Sequence, residues 1–369
     1  MKPFPNAPLE QPGYRYMDDR RRLIALSFLI LGILWVIQGA LTVKGAGDDW
    51  KIFWNAAHYV GTPELLSRAR FAYTPGVAWA LWLIGGFSRT ASYFIYSAFM
   101  LCCAFLASFL ASRVYRLPVL VTSAMLVAWF PLTIAVCLGQ NTPFGLLLVM
   151  LAIYAFVRRD ETLLGLAVGL SFYKPTVGIP LFVLLVVFQQ RKATCIVAVT
   201  LVIWYALSAA AVHDALWPRP YIHMLSSLYN YDRAVDGDYA IGIPGILIHV
   251  GLSPIEGWVL AIVSLVSCAM LLTRTSRIEA ATMLPAIALA TAPHAYGYDA
   301  LLMLPVLWLL VTSATPKRIA VAVAAFIVAP MYVFSRVIHF DPLALPVIGF
   351  TAAWVVNRLR EDPRGEAAI

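Results

Sequence analysis

Two adjacent carboxylates, Asp48 and Asp49, open the segment Asp49-Trp50-Lys51-Ile52-Phe53-Trp54-Asn55-Ala56-Ala57, directly after the first long apolar run of a chain with few charges. A carboxylate kept at the water-facing mouth of an apolar bundle needs a partner or a task. Further polar residues recur at the ends of other apolar runs: Tyr73-Thr74-Pro75, Gly139-Gln140-Asn141, Lys174-Pro175 and Pro293-His294-Ala295-Tyr296-Gly297-Tyr298-Asp299. Together they supply a carboxylate, amides, an ammonium and an imidazole. That inventory suits a site that joins a general base to a cradle for an anion. Asp49 is the expected base, with Asp48 as its neighbour and support. Lys174 and His294, with Arg219 or Arg233 as further candidates, are the expected donors to the anion. Each residue also has a structural reading. Asp49 could be a solvated loop charge, Lys174 a snorkelling lysine, and His294 a satisfied structural histidine. Asp299 could cap the helix that follows it, and Gln140 and Asn141 could cap or turn. Arg336, His339 and Asp341 lie in a late loop without a motif and are read as structural.

The elements that carry these residues must be membrane helices. Of the 369 residues 61% are hydrophobic and 12% charged, and mean hydropathy is +0.80. A soluble domain needs more polar surface than that, and long continuous apolar runs point to helices rather than a barrel. The expected spans are 23–43, 75–87, 91–112, 117–138, 143–157, 162–173, 176–188, 194–212, 254–273, 278–292, 299–314, 318–334 and 343–357. Several fall short of the roughly 20 residues a crossing requires. The net charge of +8 is no nucleic-acid signal. It comes from short basic clusters (Arg20-Arg21-Arg22, Arg158-Arg159, Arg191-Lys192, Arg274 with Arg277, Lys317-Arg318, Arg358 with Arg360), which mark cytoplasmic ends. Both termini are then inside, so one candidate must fail to cross. Residues 75–87 are short, and residues 117–138 carry Pro118 and Pro131. The expected organisation is a cytoplasmic tail (1–22), one transmembrane domain (23–357) with outside loops 44–74 and 213–245, and a second tail (358–369). The loops are rich in Tyr and Trp, which fits an interfacial aromatic belt or a sugar-binding surface. The cysteines Cys102, Cys103, Cys137, Cys195 and Cys268 have no metal-ligand spacing and are read as small core residues. The N-terminal segment lacks a cleavage site and is expected to be retained.

Along residues 23–357 the chain resembles glycosyltransferase family 87, the polyprenyl-phosphate-sugar-dependent membrane mannosyltransferases of the C-type superfamily. The resemblance is carried by Asp49-Trp50…Phe53-Trp54-Asn55-Ala56-Ala57, Phe71-Ala72-Tyr73-Thr74-Pro75, Gly139-Gln140-Asn141, Lys174-Pro175 and Pro293-His294…Tyr298-Asp299. It implies an all-α polytopic bundle of about 12 transmembrane helices whose outside loops hold the active site. It implies a catalytic Asp at the start of the first external loop, which maps to Asp49, and a histidine on the donor phosphate, which maps to His294. Tyr73, Gln140, Asn141, Lys174, Tyr298 and Asp299 complete the expected substrate-binding set. Transfer of a hexose, mannose by family default, from a lipid monophosphate to an acceptor hydroxyl would invert the anomeric centre. No metal or cofactor is implied. Partners would be the polyprenyl-phosphate sugar, a glycolipid or glycan acceptor and membrane lipids, at a bacterial inner membrane with the site outside. Two departures stand out: the tandem Asp48-Asp49, and Thr74 where the family has a second proline. A transporter or flippase, and a non-catalytic subunit of an envelope-glycan assembly complex, are the competing readings. The transporter predicts midplane charges and inverted repeats, whereas the charges here sit at span ends.

Overall fold

The computed structural model describes residues 19–42, 47–69, 71–312 and 315–360. Of the expected tails (1–22 and 358–369), residues 1–18 and 361–369 lie outside them, and the remainder is helical. Among the described residues the chain is helical throughout, with no strand and a single isolated bridge pair, Ala240 with Tyr296. Each expected span coincides with a helix or a pair of short helices. Among the described residues four helices can cross a membrane by length and composition: Arg89–Tyr115, Arg191–Val212, Pro254–Leu272 and Pro316–Ile338. The pair Val119–Ala128 and Phe130–Leu138 adds a fifth if read as one span. The pair bends by 63° at Trp129. Pro131 explains the break, because its ring excludes the carbonyl four residues back and it has no N–H to give. The Trp129 indole then donates to Ala300 O at 2.9 Å, so the break is tied to the segment that carries Asp299. The other suspect span, Pro75–Gly85, rises only about 16 Å at 1.5 Å per residue, roughly half a bilayer core.

The interior is built around Trp129, Phe130, Phe156, Trp308 and Phe326, all fully buried. Outward faces are apolar as well. Val259, Ile262, Val263, Val266 and Met270 on Pro254–Leu272 are all exposed, a stripe that a bilayer covers and water would not tolerate. Cys102 and Cys195 are exposed too, so two of the five cysteines are not core residues as expected.

The expected outside loops are largely helical. Residues 44–74 contain Asp48–His58 and Glu64–Ser67, and residues 213–245 contain Pro218–Asp236. Their aromatics form a second core in which Trp50, Phe53, Phe71, Tyr96 and Tyr221 are buried together. Trp50 is 1% exposed and donates to Arg89 O (3.1 Å) and Ser92 Oγ (3.3 Å). Neither Trp50 nor Tyr221 therefore belongs to an interfacial belt or an open sugar-binding face. The spacing Trp50, Phe53, Ala57 puts one apolar stripe on Asp48–His58, and Asp48 and Asp49 fall in its first turn, where acids complement the helix dipole.

A candidate active site at one end of the bundle

The loop Gly139-Gln140-Asn141-Thr142, between the helices Phe130–Leu138 and Thr142–Arg158, connects the two halves of the site. Gln140 is buried; its Nε2 donates to Asp49 Oδ2 at 2.7 Å, and its Oε1 accepts the Tyr73 hydroxyl at 2.9 Å. Two residues on, Thr142 Oγ1 donates to Asp299 Oδ1 at 3.2 Å. The same carboxylate oxygen accepts Lys174 Nζ at 2.5 Å, an ion pair whose side chains are 12% and 6% exposed. The ammonium also lies 5.5 Å above the Tyr298 ring. Asp299 Oδ2 accepts the Tyr296 N–H at 3.3 Å, so the carboxylate also closes the turn that begins its helix.

Backbone geometry fixes this arrangement. Gly139 has φ +79°, a conformation L side chains avoid. A Cβ there would stand 2.7 Å from Trp50 Cβ. The glycine thus lets the Asp48–His58 helix approach the loop closely, which brings Asp49 within reach of Gln140. Thr74 docks the Tyr73 segment on the lysine segment: its N–H donates to Tyr173 O (3.1 Å) and its hydroxyl to Phe172 O (2.6 Å). A proline could make neither bond, so the departure at Thr74 replaces ring rigidity with two hydrogen bonds. The rings of Tyr73 and Tyr173 lie parallel, 6.5 Å apart, and Phe53 meets Tyr73 at 5.1 Å.

Burial sets the protonation states. Desolvation raises the Asp49 carboxyl to about 6; the Gln140 hydrogen bond opposes it, and the charges of Asp236 and Asp48 add to it. His294 is lowered to about 4, by burial first and by the Lys174 charge second. Its imidazole is therefore neutral near pH 7, and the fixed positive charge comes from Lys174. His294 meets the Tyr296 ring at 4.7 Å. It also lines two cavities. One is a narrow apolar groove, open in part, walled by Val177, Leu181, Leu284, Pro285 and Leu289 and lined also by Thr176, His294 and Asp299. The other, equally narrow, is shared by Gly237, His249, Pro293 and Tyr296. Asp49 lines neither.

The structure thus brings Asp49, Tyr73, Gln140, Lys174, Tyr298 and Asp299 into one connected cluster, with His294 on its cavity side. Asp48 is exposed and outside it. Asn141 is buried with Oδ1 unpartnered among the described residues, and its carbonyl accepts the Tyr173 hydroxyl at 3.3 Å. Arg219 is exposed, and the Arg233 side chain lies outside the described residues. Thr142 and Tyr173 went unnoticed in the sequence although each adjoins a quoted motif. Asp236 was visible there only as one charge in a polar stretch. Among the described residues no group of three His, Cys, Asp or Glu side chains could hold a metal ion.

The profile of glycosyltransferase family 87 matches residues 71–296, more than half of the 369. The chain belongs to glycosyltransferase family 87. It is accordingly a membrane glycosyltransferase, a class that takes a sugar from a donor and gives it to an acceptor. The family match runs from Phe71 through Lys174 and His294 to Tyr296, while Asp49 and Asp299 flank it. No curated protein and no solved structure matches the chain.

Proposed function

We propose that this family 87 member moves a hexose, mannose by family default, from a polyprenyl-phosphate donor to an acceptor hydroxyl, with inversion, on the outer face of a bacterial inner membrane. The observation that carries the reading is the Gly139–Thr142 loop, which ties a desolvated carboxylate at Asp49 to the Lys174–Asp299 ion pair. Asp49 removes the proton from the acceptor hydroxyl as its oxygen attacks C1 of the donor sugar. The bond from C1 to the phosphate oxygen breaks, and its electrons leave with the lipid phosphate. A base typically contributes ~10²–10⁴-fold to such a step. Lys174 and a hydrogen bond from neutral His294 meet the charge that grows on the phosphate. The apolar groove that His294 lines suits a prenyl chain whose head reaches that residue.

The outer-face assignment is supported by helix polarity. Thr142–Arg158 runs from the site to a basic end; Arg277–Thr291 runs from a basic start toward His294. Arg191–Lys192 follows the far end of Pro175–Val187. Basic ends mark the cytoplasm, so the site faces away from it.

The test is transfer by purified protein in nanodiscs, supplied with a short-chain polyprenyl-phosphate mannose and envelope glycolipids, with products read by mass spectrometry. Wild type forms a glycoside, and Asp49→Asn loses at least a hundredfold in rate while still inserting and eluting as a single species. Undiminished transfer by Asp49→Asn refutes the assignment of the base.

A further inference from the structure

Asp236, from a distant segment, lies within electrostatic range of Asp49. Asp236 ends the helix Pro218–Asp236 and is followed by the turn Gly237–Tyr239. That turn is held against the histidine motif by two contacts: the Ala240–Tyr296 bridge and the bond from Ile241 N–H to Ala295 O at 3.0 Å. Asp238 fixes it from the other side, with His249 Nε2 at 3.1 Å and His339 Nδ1 at 3.3 Å.

A rim of unlike groups surrounds Asp236. Arg336 Nη2 lies 3.7 Å from its Oδ1, with the two side chains 64% and 40% exposed. The Arg336 guanidinium also stands 5.5 Å over the Tyr239 ring. Tyr239 in turn meets Tyr332 at 5.1 Å between centroids, 35° from parallel. Tyr332 packs against Gly297 in the histidine motif, where a Cβ would stand 2.6 Å from its ring. As a surface ion pair alone, Asp236 with Arg336 would be worth little. Its loose contact instead leaves, among the described residues, most of five guanidinium donors and four carboxylate acceptor sites unused. Two aromatic faces with a polar edge stand beside those sites.

A carboxylate and a guanidinium that hold neighbouring hydroxyls, beside aromatic faces that cover C–H groups, are what a sugar ring requires. A bare lipid alcohol would use neither charge. We propose that Asp236, Arg336, Tyr239 and Tyr332 form the subsite that holds the sugar ring of the acceptor. This rests on the transferase reading above and names the residues of this chain that hold its acceptor.

The test is saturation-transfer NMR on full-length protein in nanodiscs, with octyl α-mannopyranoside as probe, methyl α-mannopyranoside as the tail-free arm and 1-octanol as the partition control. Wild type gives saturable transfer to the sugar ring protons. Asp236→Asn, Tyr332→Leu and Arg336→Gln each weaken binding about tenfold or more, whereas Gly86→Ala, where a Cβ meets nothing within 4 Å, stays within twofold. Arg336 is exposed enough that its loss leaves the fold intact. Equal binding of the methyl and octyl glycosides identifies a free glycan acceptor, and octyl preference identifies a glycolipid. In the transfer reaction Asp236→Asn raises half-saturation for acceptor but not for donor. It also moves the acid limb of the pH profile downward, since one of the charges within range of Asp49 (Asp48, Asp236 and Lys174) is removed. No ring-proton transfer in wild type, or binding within twofold in both Asp236→Asn and Arg336→Gln, overturns the subsite. Binding lost in the variants with no sugar transfer from any polyprenyl-phosphate donor retains the subsite and rejects the donor instead.

Discussion

Burial drives the two titrating groups of the site in opposite directions, and the consequences separate by pH. The Asp49 carboxyl titrates at about 6 rather than 3.8. As the base, it is charged only above that value, so kcat/KM should fall about tenfold per pH unit below pH 6. An acid limb near pH 4 would assign the base elsewhere. Stability runs the other way. The folded state binds the Asp49 proton more tightly than the unfolded chain, so the stabilisation present below pH 3.8 is lost as pH rises through 6. Asp49→Asn should therefore raise the thermal midpoint at pH 7.5, by an amount equivalent to about 1–3 kcal/mol, and leave it unchanged at pH 3.5. His294, held near 4, contributes stability above pH 6.5 that is lost as pH falls through 4. The Lys174–Asp299 pair is a separate case, because its members are buried and depend on each other. Lys174→Met leaves Asp299 as an unpaired buried charge, at a cost of about 3–5 kcal/mol. Adding Asp299→Asn should restore more than half of the lost thermal midpoint in detergent. A double variant as unstable as the single would mean the pair is not a stabilising unit.

At the scale of elements, the site depends on how closely the Asp48–His58 helix approaches the Gly139–Thr142 loop. Gly47 N–H donates to Cys137 O at 2.8 Å, which anchors the start of that helix two residues before Gly139. Gly139 answers with a left-handed backbone and no side chain against Trp50. Gly139→Ala introduces about 1–2 kcal/mol of backbone strain and an overlap that moves Trp50, and with it Asp49, away from Gln140. Transfer should drop at least tenfold. Gly86→Ala is the matched control, since a Cβ there meets nothing within 4 Å, and should remain near wild type. Equal activity in the two variants would show that the loop does not position the base.

For the whole molecule, the sequence was most legible where a pattern is local. Apolar runs located the helices of the bundle, though not those within the expected loops, and Pro131 marked the break at Trp129. Short motifs located Asp49, Gln140, Lys174 and Asp299, which meet in two pairs joined by the Gly139–Thr142 loop. What stayed hidden depends on packing between distant segments. Trp50 and Tyr221 read as interfacial aromatics because nothing local reveals that they bury each other's neighbours. Asp236 and Arg336, a hundred positions apart, carry no motif that would join them. Sidedness rests on the helix ends. Arg191–Val212 spans 22 residues, about 33 Å, enough to cross a bilayer. Lys192 lies at its basic end, and Ala211, at the other, accepts the Gly61 N–H at 2.7 Å next to the helix Glu64–Ser67. In a variant with all five cysteines replaced, Ser67→Cys and Lys192→Cys should therefore differ in access to a membrane-impermeant maleimide. Ser67→Cys, exposed on the site side, labels in intact spheroplasts, and Lys192→Cys labels only after permeabilisation. The reverse pattern would put Asp49 in the cytoplasm, where a lipid-linked donor on the outer leaflet cannot reach it, and the proposed reaction would have to be abandoned even if every contact in the site were correct.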